Sequence, residues 1–482
     1  MSVLDLVIFL PLVAAALLAV PRVSARWVWL GATAVDLALV VAMWLGYDGG
    51  IGYETRLRWI PSVGAGYHVG VDGLSLPLIA MTAVLFLLCA VYSWRETRRP
   101  RSYAALFLFL QTVSIGLFAA LDLLVFFVFF DLSIVGMYFV IAGWGHGDRA
   151  RSALKFFLYT FLGSLALLLG FIGLYLGGGT FDMVELAAEP PMVPAVVLLA
   201  IGVGLAVKTP TVPFHTWLPP AHTDAPAAGS AILAGVLLKM GTYGFARIAM
   251  PMLPEAWRAY AWVIMAVGVV SVLYGALVAL AQDDLKRLIA YTSVNHMGYI
   301  VLALGAAGLA PGAERARELA VSGAVTQMVS HGLITGALFL LTGVLWDRAR
   351  SYDIGKYGGI AGTAPVFTTM VAVAAFASLG LPGLSGFIAE FQIFTGVIGA
   401  GAVVAGVLAI LGILITAALL LRVFHRAFLG APGELEISDV RPRELAAVAP
   451  LLVLSLVIGL APRWLLDLVE PFSAVLVGLV SR

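Results

Sequence analysis

The sequence predicts an all-α integral membrane protein of about 14 transmembrane helices, built as two inverted five-helix repeats whose helices 7 and 12 are broken. Three observations carry this prediction. Hydrophobic residues make up 62% of the 482 residues and charged ones 11%, with a mean hydropathy of +1.03, which excludes an ordinary globular interior. Fourteen apolar runs reach spanning length; at about 20 residues each they take up roughly 280 positions, leaving about 200 for connections and no large soluble domain. Basic residues also fall unevenly between alternate loops.

The first run, residues 2–20, has Asp5 near its start, no Lys or Arg before the apolar stretch, and Arg22 and Arg26 after it. That order suits a retained first helix with its N-terminus outside, not a cleaved signal. Runs 27–46 and 74–94 complete an N-terminal group, residues 1–102. Runs 103–121, 122–143, 152–176, 192–215 and 227–250 form the first repeat, 103–250. Runs 257–281, 284–307, 318–345, 366–395 and 402–428 form the second, 257–428. The run 444–461 closes the spans within a C-terminal segment, 429–482. The punctuated stretch after Pro462, with Arg463, Asp467, Glu470 and Pro471, reads as a surface-lying or short re-entrant segment.

Two runs are interrupted. Pro210 and Pro213 follow Lys208 in KTPTVPFHTW, and each proline removes a helical hydrogen bond. The run 366–395 contains Gly380-Leu-Pro382-Gly-Leu-Ser-Gly386. Broken backbone at membrane depth is tolerated only against protein or a watery cavity. Breaks five spans apart, in units that start on opposite sides, are the mark of an inverted-repeat transporter. With the N-terminus outside, inner loops collect 18 of the 28 basic residues, Lys286 and Arg287 among them, and the outer side collects 8, including Arg315, Arg317 and Arg482. The two left over, Lys208 and Lys239, lie inside spans.

Composition excludes other classes. Twenty-eight basic against 27 acidic residues give a net charge of +1, so nothing points to nucleic acid. The single cysteine, Cys89, can hold no internal disulfide, iron–sulfur cluster or structural zinc. No Walker A pattern, dinucleotide fingerprint or nucleophile elbow occurs. The driving reaction must therefore lie on another subunit or in an ion gradient.

Each ionisable residue at mid-span costs about 2.5 to 3.5 kcal/mol on the insertion scale. Four occur: Asp131, Lys208, Lys239 and Glu390. His296 and His331 sit in the tenth and eleventh spans, and His215 and His222 flank the loop WLPPAHTDAPAAGS. Asp36 and Asp122 read as helix-end or interface residues. Structural ion pairs are the plain alternative, but burial penalties of this size are usually retained for transport. The chemistry that suits the set is proton relay, because a lysine that gains and loses a carboxylate partner has two proton affinities. Asp131 with Lys208 is such a candidate pair, with Lys239 the next acceptor and water and histidines bridging to Glu390.

The segments KTPTVPFHTWLPPAHTDAPAAGSAILAGVLLKMGTYG, QDDLKRLIAYTSVNHMGYI and LGLPGLSGFIAEF resemble the antiporter-like membrane subunits of proton-pumping NADH:quinone oxidoreductase, respiratory complex I, from about residue 70 to 428. These are also similar to the large subunits of sodium/proton antiporters and of membrane-bound hydrogenases. Glu390 in the broken twelfth span, where relatives usually carry lysine, and SIVGMYFVIAGWGHGDRARSALKFFLYT make the resemblance strongest to chain M. It implies that Lys208 pairs with the fifth-span carboxylate, that Lys239 is the central lysine, that His296 and His331 connect, and that Glu390 stands on the exit side. It also implies no cofactor on this chain, other membrane-arm subunits as partners alongside the lipid bilayer and protons, and a bacterial cytoplasmic membrane. The sequence departs from the family at Asp131, where the family has glutamate.

Overall fold

A computed structural model of the chain describes residues 2–309 and 312–481; Arg482, counted above with the outer basic residues, lies outside them. Helix follows helix in chain order: α1 Val3–Leu17, α2 Ala25–Leu45, α3 Ser75–Tyr92, α4 Pro100–Ala119, α5 Leu123–Trp144 and α6 Arg149–Gly178. Then come α7 Ala195–Lys208, the short α8 Leu218–Asp224, and α9 Ala227–Met252, a run that includes two π-helical turns. Beyond these lie α10 Ala261–Leu280, α11 Leu285–Ala306, α12 Glu314–Ala349, α13 Pro365–Ser378 and α14 Ser385–Gly399. The chain finishes with α15 Val403–Phe428, α16 Pro442–Leu460 and α17 Arg463–Ser481. Among the described residues twelve helices are long and apolar enough to cross a membrane.

One of the twelve does not run through the bundle. Near its start, Trp464 of α17 packs on Trp44 at the end of α2, ring centroids 5.4 Å apart. At its end, Val480 O accepts from Arg258 Nη1 at 3.0 Å and Ser481 Oγ from Arg317 Nη1 at 3.0 Å. These partners all sit at helix ends on the face that carries the N-terminus, so a 19-residue helix, about 28 Å long, lies along that face. This agrees with a surface-lying tail.

The two breaks occur where the sequence puts them. After Lys208 the backbone leaves the helix. Trp217 Nε1 donates to Val207 O at 2.9 Å, and Val212 N donates to Ser271 Oγ at 3.0 Å, so protein groups satisfy what the prolines release. The second break runs between Ser378 and Ser385 and turns at Gly380, φ +73°, and Gly383, φ +94°.

Four local readings need correction. The connection 47–73, given no element by an all-α prediction, forms an antiparallel hairpin of β1 Gly52–Ile60 and β2 Ala65–Val71. Its His68 is buried between Asp182 and Glu54, each 2.8 Å from a ring nitrogen. Burial opposes the imidazolium there, but the two carboxylates outweigh it and hold the His68 pKa above its ordinary value. Asp122 is indeed a helix end: it caps α5 through Leu124 N and Val125 N, and its other oxygen accepts from Gly66 N of the hairpin at 3.1 Å. The hairpin thereby fixes the start of the helix that carries Asp131. Asp36, by contrast, lies in the middle of α2, buried, with Gln111 Nε2 of α4 donating to it at 2.5 Å. His222 belongs to α8 rather than to a loop, and Lys286, assigned to an inner loop, is wholly buried as the second residue of α11.

Candidate functional site

Lys208 is the last residue of α7, at the helix end whose dipole favours a cation. Its Nζ donates to Ser133 Oγ at 2.8 Å and stands 4.7 Å from the centre of the Phe130 ring. Asp131, half-buried on the same helix as Ser133, is within Coulombic reach of Lys208 but makes no ion pair with it. Asp131 Oδ1 has no protein partner among the described residues. The two groups are neighbours, with Ser133 taking the Lys208 ammonium and Ser164 the partner of the Asp131 carboxylate.

Lys239 comes one residue after a π-helical turn, Leu233–Leu237, and a second one, Phe245–Ala249, comes soon after it. Such turns shift the side-chain register of a helix and often mark functional positions. Lys239 is wholly buried; its Nζ donates to Ala234 O at 2.5 Å and meets His331 Nδ1 at 2.6 Å. Two residues on, Gly241 packs so tightly on Leu205 and Thr209 that a Cβ there would collide with both. That close approach brings the Lys239 helix against the end of α7.

From His331 the line continues to His296, ring centroids 5.3 Å apart. His296 Nε2 donates to Ser378 O at 3.2 Å, the last residue before the second break. His296, His331, Ser330, Gln327, Ser378 and Glu390 line a cavity of about 10 Å³, enough for about one water. Glu390 is buried, and its carboxylate lies against Gly380, where a Cβ would strike Oε2. Four of the six candidate residues, Lys239, His331, His296 and Glu390, thus form one connected line, and Asp131 and Lys208 form a group beside it.

The arrangement can carry protons. Lysine, imidazole and carboxyl groups each bind and release one, neighbours along the line from Lys239 to Glu390 are within hydrogen-bond or single-water reach, and no electron carrier is needed. Sequence reasoning missed Ser133 as the partner of Lys208, and it missed His222 and Lys286 as buried groups. The only signal for His222 was a histidine among three prolines, and Lys286 was masked by the adjacent Asp283, Asp284 and Arg287.

Residues 120–416 match the family described as NADH:quinone oxidoreductase/Mrp antiporter, TM. The chain belongs to this family. Similar relatives are NADH-quinone oxidoreductase subunit M of Rhodobacter capsulatus, 38% identical over 99% of this chain and 96% of that one, and NAD(P)H-quinone oxidoreductase chain 4 of Gloeobacter violaceus, 38% identical over 97% and 91%. Among solved structures, a chain of respiratory complex I from Thermus thermophilus with bound NADH superposes with a TM-score of 0.91 at 30% identity, covering 99% of both chains. A chain of the Mrp complex from Dietzia sp. DQ12-45-1b shares the fold, with a TM-score of 0.88 at 22% identity over 100% of each.

In this family member Gly380 is a position where a one-carbon change would touch Glu390. Its left-handed backbone costs an L-residue about 1–2 kcal/mol, and a methyl group would displace the Glu390 carboxylate. Gly380→Ala is expected to shift the carboxyl stretching band of Glu390, identified in infrared difference spectra by its loss in Glu390→Gln. An unmoved band in Gly380→Ala means the break does not position this group.

Proposed function

We propose that the chain is a proton-translocating, antiporter-like subunit of the membrane arm of a complex I-like assembly. It couples quinone reduction elsewhere in the assembly to proton pumping through Asp131, Lys208, Lys239, His296, His331 and Glu390. The observation that carries this reading is the line from Lys239 Nζ through His331 and His296 to the cavity at Glu390. Relatives named as subunit M over nearly the full chain give it its setting, other membrane-arm subunits as partners in a multi-pass membrane complex. In this reading redox chemistry belongs to those partners, and the one cysteine, Cys89, could not by itself hold an iron–sulfur cluster. A cation/proton antiporter subunit is the second reading, and the match to the Mrp fold favours it only at the level of architecture.

The topology within this reading is fourteen spans with the N-terminus outside, in the bacterial cytoplasmic membrane. Eleven of the twelve long helices, with α17 set aside, are joined by α1 and by the composites α7–α8 and α13–α14. Two inverted units, 103–250 and 257–428, find support in a matched pair of bridges. Asp122 pairs with Asp182 on the N-terminal face, and Asp284 pairs with Asp353 on the opposite one. The first residue of each pair caps the second helix of its unit, α5 or α11.

The deciding experiment is purification of the native assembly, identification of its neighbours, and measurement of proton movement in sealed vesicles on addition of an electron donor and quinone. Quinone reduction with proton translocation supports the reading. An assembly with no quinone reductase subunit, exchanging cations for protons down a gradient, replaces it with the second.

A further inference from the structure

His68 stands apart from the buried groups of the proposed relay. We propose that its imidazole is a pH-operated clasp on the face that carries the N-terminus, closed when the ring is protonated and releasing the start of β1 when it is not. The clasp is independent of the proposed function; only its setting rests on that reading, in which pumping acidifies this face.

The ring is buried, with Nδ1 2.8 Å from Asp182 Oδ2 and Nε2 2.8 Å from Glu54 Oε1. A neutral imidazole has one N–H and one lone pair, so it would turn a lone pair on one of the two carboxylates. Two carboxylate partners at this distance require both nitrogens to donate, which makes the ring an imidazolium. The surroundings suit that charge. Arg56 Nη2 of β1 holds Asp182 Oδ2 at 3.0 Å and Glu185 Oε1 at 2.5 Å. Asp122, at the start of α5, pairs with Asp182 along the backbone, so four carboxylates face two cations. α4, also packed on β2, has no ionisable side chain beyond Tyr103, and the turn Pro61–Val63 has none. Tyr67 and Asp5 of α1 bond to each other on the other face of the strand.

Deprotonation leaves the ring one N–H for two carboxylates, and the structure shows which bond opens. Asp182 keeps Arg56 and the Val184 and Glu185 amides that it caps. Glu54 is about half exposed and has no partner but His68 among the described residues. Its backbone is loosely held as well. Gly52 pairs with Val71 and Thr55 with Val69, which leaves Tyr53 and Glu54 in a bulge with Tyr53 at φ +54°, a region that L-residues rarely adopt. The His68 bond is therefore what ties Glu54 to β2. Just before the bulge, residues 47–51 form one lip of a cavity of about 650 Å³ whose lining includes the Asp72–Arg247 ion pair. Opening the clasp loosens this lip. Burial opposes the imidazolium, and Asp182 and Glu54 outweigh it, so His68 titrates above its ordinary value of about 6.5. The stabilisation it gives is complete below about 6.5 and is lost as the pH rises through the raised value.

The test is hydrogen exchange read by mass spectrometry on the assembled complex in detergent, where no gradient forms, corrected for the intrinsic pH dependence of exchange. Between about pH 6 and about pH 9, the amides of residues 47–56 are expected to lose protection by about tenfold or more, with a midpoint above about 6.5, while those of α5 stay protected. His68→Gln is expected to lose the step and stay open throughout. Glu54→Gln is expected to lose the step and stay closed, because an amide can accept from an imidazole N–H or donate to its lone pair. A parent with no step, or with a step that His68→Gln keeps, overturns the clasp. So does a step in which α5 opens too, since that is general unfolding. Should His68→Gln fail to assemble, Glu54→Gln decides alone, and an unchanged step in it overturns the proposal. All of this is read without pumping, so failure here leaves the proposed function standing, and normal pumping by Lys239→Met leaves the clasp standing.

Discussion

Lys239→Met should assemble in the membrane at parental levels and lose nearly all the proton translocation that passes through this chain. Lys239 is wholly buried, with Nζ shared between Ala234 O and His331 Nδ1. Methionine occupies much of the same volume and removes the charge that burial disfavours. The loss of two hydrogen bonds, to Ala234 O and with His331 Nδ1, about 1 kcal/mol each, is offset by relief of that desolvation, so the fold should tolerate the change. Transfer cannot tolerate it, because a positioned proton-transfer group is worth about a hundredfold or more in rate, and Lys239 Nζ is the group hydrogen-bonded to His331 Nδ1. The measurement is proton uptake per quinone reduced in vesicles matched for assembled complex. Parental uptake by such vesicles removes Lys239 from the mechanism.

What the sequence made legible here follows from the solvent. In hydrocarbon a lysine or a proline is costly wherever it sits, so Lys208, Lys239, Pro210, Pro213 and the Gly380–Gly386 segment stand out against Leu and Val without knowledge of packing. The groups that escaped depend on packing. Lys286 sits in the first turn of α11 beside charged neighbours, and it is buried only because the end of α8 comes to rest on it. α8 itself was hidden by Pro219, Pro220 and Pro226, which read as a loop although proline is tolerated in the first helical turn. Asp36 read as a helix-end or interface residue, and its partner, Gln111, lies 75 residues away on another helix, where no local pattern could name it. The hairpin was missed for a related reason: His68 is fixed by Asp182, which no local pattern links to it.

Rotamers are the other illegible quantity, and Asp131 depends on one. Its sequence neighbourhood gives a carboxylate within a span and a lysine at the next break, but it does not say that Ser133, two residues on, takes the Lys208 ammonium. In this conformation the carboxylate and the ammonium are apart, with Asp131 Oδ1 unclaimed. A relay needs such a state as well as a paired one, because the lysine binds its proton more weakly when the carboxylate is absent.

Asp131→Glu is therefore expected to preserve proton translocation, and Asp131→Asn to lose most of it at unchanged assembly. One added methylene extends the carboxylate by on the order of 1.5 Å, and at an effective dielectric of about 20 two unit charges interact by roughly 4 kcal/mol at 4 Å and roughly 3 kcal/mol at 5.5 Å. The glutamate variant can therefore reach Lys208 without losing the charge, and Ser133 or a bridging water can accommodate the change in length. Asparagine keeps the shape and can still hydrogen-bond, but it gives the ammonium nothing to alternate with. A drop of about 1.4 kcal/mol or more in the paired state then slows the coupled step by about tenfold. Proton uptake per quinone reduced separates the two variants directly, with co-purification of the neighbouring subunits as the assembly control. If Asp131→Asn pumps as the parent does, the carboxylate at this position has left the relay, and the coupling of Lys208 must be sought at Ser133 or in a group supplied by a neighbouring subunit.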